Sequence, residues 1–122
     1  SGRSHVGETM QVEGDMRSAG SLDVAGLVNG SIFVSDMTVT ETGSVRGSIE
    51  SANIEINGHV EGKITADVVI VGKNAVIKGD IFFKNTLKTE DVLFTLADSN
   101  SSALIEGAGD EEAMYVVMPM RL

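Results

Sequence analysis

The chain has no cysteine, no tryptophan, one tyrosine and one proline among its 122 residues. The lack of cysteine excludes disulfides and thiolate chemistry, and a core with so few rings must be built from aliphatic side chains and methionine. Basic residues are also scarce: 9 stand against 18 acidic ones, which gives a net charge of −9. Such a field repels phosphate and disfavours nucleic acid or anionic lipid as a broad-surface partner. No apolar run approaches the roughly 20 residues that span a bilayer.

Glycine is abundant by contrast, with 14 copies, and much of it falls in an internal repeat. A pentad of the form apolar-x-Gly-x-apolar occurs five times in order, and its central glycines are separated by 16, 17, 15 and 17 residues. Self-similarity at a fixed period is typical of repeat architectures. The repeat glycines, which we expect to have a structural role, are Gly14, Gly30, Gly47, Gly62 and Gly79.

Each interval also holds a second alternating apolar pair, as in Leu22/Val24 and Ile54/Ile56. Alternation with β-branched residues predicts short strands, and the intervals are too short for strand-helix-strand units. The gaps from each pair to the next pentad are 4, 6, 4 and 6 residues. Two corners, at residues 40–43 and 72–75, are therefore predicted to carry two added residues, and a single extra residue is predicted near Ala19-Gly20.

These patterns predict an all-β fold, a single-domain parallel β-helix of about six rungs. We assign residues 7–109 to the β-helix, with an insertion near 89–102 and the pentad resuming at Ile105-Glu106-Gly107. Residues 1–6 are expected to be an N-terminal tail that includes a candidate cloning remnant, and residues 110–122 a C-terminal tail or cap. Outward positions support the stacking, because Arg46, Glu61 and Lys78 would alternate in sign on successive rungs.

No catalytic, cofactor-binding or metal-binding residues are predicted, and we expect that the protein is not an enzyme. His5 and His59 are the only imidazoles, too few for a catalytic zinc site with three histidine ligands. The hexapeptide acyltransferases need about 18 residues per turn, which these intervals do not match. The acidic run at residues 110–112 is interpreted as a solvated turn.

The repeat resembles that of the bactofilins, bacterial polymer-forming cytoskeletal proteins. The resemblance extends from about Gly7 to Ile81 and includes the segments VNGSI and VRGSIESANIEINGHVEGKITADVVIVGKNAVIKGDI. It implies a right-handed β-helix that assembles end to end into nucleotide-independent, non-polar filaments. It also implies a cytoplasmic scaffold at the inner face of the membrane that supports cell shape or localises cell-wall proteins.

The ends of a β-helix are unpaired strand edges, which are templates for further strand pairing. We therefore predict a homopolymer joined through the ends, with cell-wall or membrane proteins as cargo and no nucleic acid. The sequence alone does not choose between a polar and a non-polar filament. Two alternatives stay open: a non-polymerising binding module such as a phage or surface fibre segment, and a β-helix enzyme acting on polysaccharide. The candidate polymer interface comprises Val6, Met10, Val12, Met114, Tyr115, Val116 and Val117.

Overall fold

The computed structural model describes residues 2–72, 74–89 and 105–107, and all of its regular structure is β-strand. Every strand pairing is parallel, as expected when a chain winds in one direction and each turn lies on the one before. The strands are β1 (Arg3–Val6), β2 (Gln11–Glu13), β3 (Met16–Arg17), β4 (Ser21–Val24), β5 (Leu27–Asn29), β6 (Ile32–Val39), β7 (Ser44–Arg46), β8 (Ile49–Ile56), β9 (His59–Val71), β10 (Val76–Thr89) and β11 (Ile105–Gly107).

The prediction of an all-β parallel β-helix is confirmed, with about five turns in place of six. Each turn contributes to three stacks of strands, which we call faces 1, 2 and 3 in chain order. Face 1 begins with β1 and β4 and continues through residues 36–39, 53–56, 68–71 and 86–89. Face 2 begins with β2 and continues through β5, β7 and the first residues of β9 and β10. Face 3 runs from β3 through residues 32–34, 49–51, 64–66 and 81–83 to β11.

The core is a set of aliphatic columns that run along the axis of the β-helix. Val28, Val45 and Val60 are at most 1% exposed and stack on successive turns of face 2. Ile49 and Ile64 do the same on face 3. Because the side-chain period of a strand is two, the residues between these positions point outward, which leaves a thin, largely aliphatic interior. Among the described residues, Phe83 is the one aromatic ring buried in it.

The corners between faces 1 and 2 alternate between wide and narrow. The predicted wide corners are present, and each closes with a backbone hydrogen bond: Gly43 N donates to Thr40 O at 2.9 Å, and Ala75 N donates to Gly72 O at 3.2 Å. A third wide corner precedes them, where Met10 N donates to Gly7 O at 2.9 Å. This corner extends the alternation to the first turn.

The N-terminal boundary of the β-helix differs from the prediction. Arg3–Val6, assigned to a tail from the sequence, form β1 and pair in register with Ser21–Val24. The reason is that Val6 occupies the same inward position as Val24 one turn later, and it is only 2% exposed. His5, expected in the tail, therefore lies on a strand.

The register of β11 also corrects the sequence interpretation. Ile105 pairs with Ile81 and Gly107 with Phe83, so Gly107 does not continue the glycine column that ends at Gly79. The backbone pairing of β11 therefore continues face 3 and not the corner that holds the pentad glycines. The insertion predicted near residues 89–102 and the tail at 110–122 lie outside the described residues, apart from the end of β10 at Thr89.

Candidate polymer interface

The first turn presents an open strand edge. Among the described residues, β1 pairs only with β4, β2 only with β5 and β3 only with β6. Each of these strands therefore has one edge without a strand partner in the described part of the chain. Backbone N–H and C=O groups on such an edge can pair with another strand.

The inward side chains of this turn form the end layer of the core. Val6 is 2% exposed and belongs to the core cluster, whereas Val12 and Met16 are only partly buried against it. Met10 lies at the wide corner and is 50% exposed, the one large hydrophobic side chain exposed to that degree in the described residues. The predicted interface residues Val6, Met10 and Val12 thus lie on one turn, although Val6 presents little side-chain surface.

Met16 belongs to the same end layer and was not predicted. It is the last residue of the first pentad, so its inward position was visible in the sequence. Its partial exposure was not visible, because that depends on β3 having a partner on one side only among the described strands. The remaining predicted interface residues lie outside the described residues: Met114, Tyr115, Val116 and Val117.

Charged groups at this end are engaged with the second turn. The Arg3 guanidinium lies 2.7 Å from the Asp23 carboxylate, and Asn29 Nδ2 donates to Glu13 Oε2 at 3.0 Å. On face 3, the Arg17 guanidinium lies 5.0 Å from the centre of the Phe33 ring. These contacts direct the side chains of Arg3, Glu13 and Arg17 toward the second turn and away from the apolar end layer.

The pentad glycines occupy the corner between faces 2 and 3. All five have positive φ, from +123° to +149°. At Gly30, Gly47, Gly62 and Gly79, an added Cβ would also overlap the carbonyl oxygen of the pentad glycine one turn earlier. Glycine is needed here for both reasons, since L side chains avoid this backbone region.

Outward charges stack as the repeat predicts. Arg46 pairs in register with Glu61, and their side chains approach to 3.7 Å, while Lys78 follows Glu61 one turn later. Lys63 pairs in register with Asp80. Arg46 and Glu61 are both more than half exposed, so this pair contributes little to stability and acts mainly through register.

The described residues contain no cluster of side chains that could hold a metal ion. No group of three or more His, Asp or Glu side chains converges there on a common point. His59 is exposed at the start of β9, and Asp15 and Asp80 lie on turns far apart in the stack.

A groove of about 350 Å³ on face 3 is lined by Glu50, Ser51, Thr65, Ala66, Asp67, Phe82, Phe83 and Lys84. In the described part of the chain there is no helix with the length and apolarity needed to cross a membrane.

Comparison with known proteins identifies the family. The family model described as bactofilin, polymer-forming cytoskeletal, matches residues 4–95. The chain belongs to the bactofilin family. A crystal structure of a bactofilin point mutant from Thermus thermophilus superposes with a TM-score of 0.68 at 32% identity, and the match covers 71% of this chain and 98% of that one.

A second similarity is to bacterial sliding clamps. The chain is 53% identical over 38 residues to the beta sliding clamp of Vibrio cholerae, a match that covers 31% of this chain and 10% of the clamp. It is 41% identical over 73 residues to that of Pseudomonas putida, covering 60% of this chain and 18% of the clamp. This bactofilin chain thus spans between a tenth and a fifth of the length of these clamps.

Proposed function

We propose that this bactofilin is a structural subunit that assembles end to end into filaments without nucleotide. The observation that carries the proposal is the unpaired first turn, where three strand edges surround a partly exposed apolar layer. The family description supports it, because that family is polymer-forming. The filament would serve as a cytoplasmic scaffold that supports cell shape or holds cell-wall and membrane proteins at the inner face of the membrane.

The physical reason for assembly is that the strands at the end of a β-helix have unpaired edges, with backbone N–H and C=O groups free to pair with another strand. Pairing with a second end satisfies the backbone groups of β1, β2 and β3 and removes Val12 and Met16 from water. Burial of apolar surface stabilises by roughly 25 cal/mol per Å². Proteins that avoid such pairing place charge or proline on the edge, and the chain's single proline is at position 119, far from this edge in sequence.

Electron microscopy of the purified full chain tests the proposal. We expect filaments in the parent protein, and their loss when Val12→Arg places an unpaired charge in the apolar end layer. Met10→Arg is the second variant, since Met10 is already half exposed and its substitution leaves the core intact. Val116→Arg examines the other predicted end contact.

Ser48→Arg is the matched control, because it adds the same charge at an exposed position in the middle of the body. Filaments should persist in this variant. A parent protein that stays monomeric at high concentration contradicts the proposal. Loss of filaments in Ser48→Arg, with the fold retained by circular dichroism, would show that added charge alone prevents assembly.

The alternatives from the sequence make different predictions. A binding module of a phage or surface fibre would remain monomeric while capturing a partner on its sides, and an enzyme would degrade a polysaccharide. We propose no clamp function, because the similarity covers about a tenth to a fifth of the clamps compared.

A further inference from the structure

On face 1, one turn has apolar side chains on its outer surface. The turn before it carries an outward acidic side chain, and the turn after it carries an outward basic one. Val68 and Ile70 point outward from β9 and are half-buried, although both lie on the outer surface of the β-helix. One turn earlier, the corresponding outward residues are Asn53 and Glu55. One turn later they are Thr86 and Lys88. The side chains on these two neighbouring turns are all exposed: Asn53, Glu55, Thr86 and Lys88.

The two charged side chains do not form an ion pair within one molecule in the described part of the chain. Glu55 and Lys88 lie in the same column but two turns apart, with Ile70 between them. Adjacent strands are about 4.8 Å apart, so two turns separate the backbones by roughly twice that distance. Within its own turn, the Glu55 carboxylate accepts a hydrogen bond from Asn57 Nδ2 at 3.0 Å, and its side chain is exposed.

A shallow groove of about 320 Å³ lies beside this apolar turn, lined by Asp36, Met37, Thr38, Asn53, Ile54, Glu55, Val68 and Ile70. Its apolar part is at Val68 and Ile70, and its acidic part is at Asp36 and Glu55. A lysine fits such a groove, because its aliphatic stem packs on apolar surface while the ammonium reaches the carboxylates.

We propose that face 1 is a lateral interface between two copies of this chain, packed with their axes antiparallel about a twofold axis through the Val68–Ile70 turn. In this arrangement, a residue of one molecule faces a residue from the equivalent column of the second molecule. Because the axes are antiparallel, the turn after Val68–Ile70 in one molecule faces the turn before it in the other. Ile70 then faces its own copy, Lys88 faces Glu55 of the second molecule, and Thr86 faces Asn53. The symmetry forms each opposite-charge pair twice.

Charge complementarity favours the antiparallel arrangement over the parallel one. With parallel axes, the two outward columns would exchange, so that Glu55 would face Asn53 and Lys88 would face Thr86. No opposite-charge pair would then form across these turns. Isologous contacts of this kind bring the same patch of both subunits together.

The contact is small for one molecule but is repeated at every subunit of a filament. Linked weak sites bind jointly with far greater strength than one site alone. The inference therefore rests on the proposed filament, and its expected product is paired or bundled filaments. Loss of bundles with single filaments retained is distinguishable from loss of filaments.

A charge exchange tests the pairing. Glu55→Lys and Lys88→Glu should each abolish bundles, measured by low-speed sedimentation and electron microscopy, while single filaments remain. The double variant Glu55→Lys/Lys88→Glu should restore bundles because the pair is re-formed with exchanged partners. Glu50→Lys and Lys84→Glu on face 3 and its corner are the matched controls and should bundle as the parent does.

This design separates specific pairing from general repulsion. Each single substitution changes the net charge by two, from −9 to −7 for Glu55→Lys and to −11 for Lys88→Glu. If net charge alone controlled bundling, Glu55→Lys would increase it and only Lys88→Glu would decrease it. That result, or failure of the double variant to restore bundles, overturns the proposal.

A cysteine probe tests the geometry, because the chain has no cysteine of its own. Ile70→Cys should give covalent dimers with a short bismaleimide under conditions that form bundles, since the twofold axis places this position against itself. Thr65→Cys, on face 3 of the same strand, is the control and should give none. Filaments of Ile70→Cys that bundle without cross-linking, or equal cross-linking of both variants, contradict the antiparallel contact.

Discussion

At the residue scale, the pentad glycine combines two constraints that can be measured separately. A Cβ added at Gly7 or at Gly14 would meet no other atom, but of these two only Gly14 has a positive φ. Gly47 has a positive φ, and a Cβ added there would also overlap the carbonyl oxygen of Gly30. Gly14 alone among the five is free of the close contact, because no other described turn lies against its outer side.

We expect alanine substitution to lower the free energy of unfolding least at Gly7, more at Gly14 and most at Gly47. Gly14→Ala should cost roughly 1–3 kcal/mol from backbone strain, and Gly47→Ala more, because the backbone of the neighbouring turn must also move. Gly7→Ala should be close to neutral. Urea unfolding followed by circular dichroism measures this, at one protein concentration because assembly adds to apparent stability. Equal effects of Gly14→Ala and Gly47→Ala would show that stacking imposes no extra constraint.

At the element scale, each strand separates inward from outward residues by alternation, so neighbouring positions have opposite roles. In β9, Ile64 is 0% exposed and stacks between Ile49 and Ile81, while Thr65 points outward on face 3. The same alternation places Ser51 at an inward position, where it is the one buried polar side chain in the described residues. Its hydroxyl lies 2.8 Å from Asn53 O and 3.0 Å from Ser35 O, so it has hydrogen-bond acceptors within reach.

Ile64→Ala should lower the free energy of unfolding by about 3 kcal/mol, since it leaves a cavity in a column with little freedom to collapse. Thr65→Ala should change it by less than about 1 kcal/mol, as expected for an outward position. Chemical denaturation of both variants gives the comparison. A similar loss in both would contradict the assignment of inward and outward positions.

At the scale of the whole molecule, the net charge and the apolar layer of the first turn are expected to act on different contacts. Charge repels the sides of neighbouring filaments over a distance of about 10 Å at 0.1 M salt and about 3 Å at 1 M. End contacts made by backbone pairing and apolar burial are much less sensitive to salt. On the proposed function, growth of a filament and association between filaments therefore depend on different forces.

We expect filaments to form from nucleotide-free protein and to persist in 1 M sodium chloride, as imaged by negative-stain electron microscopy. Added ATP or GTP should change neither the length nor the number of filaments. High salt screens both the exposed Lys88–Glu55 pair and the repulsion between the negatively charged sides, so the charge exchange, and not salt, tests the lateral contact. Dissolution of the filaments themselves in 1 M salt would show that charge, and not apolar burial, joins the ends.

Much of this fold could be predicted from the repeat. The spacing of the pentads and apolar pairs determines which side chains point inward, where the wide corners at residues 40–43 and 72–75 lie, and how Arg46 stacks on Glu61. These features are local in sequence and recur with each turn. Local periodicity does not show where a stack begins or ends, which is why β1 was assigned to a tail and β11 was placed in the wrong register.

The repeat pattern is enough to predict how the chain winds, because alternation and glycine spacing act within single turns. Which residues meet between turns, and which stay at the surface, follows only from the stacking of those turns. Met16 is partly exposed because β3 is covered on one side only by the described strands, and Lys88, Ile70 and Glu55 form one column only because three turns are stacked in register. Contacts of this kind join residues distant in the chain, so their geometry exists only once the turns are stacked.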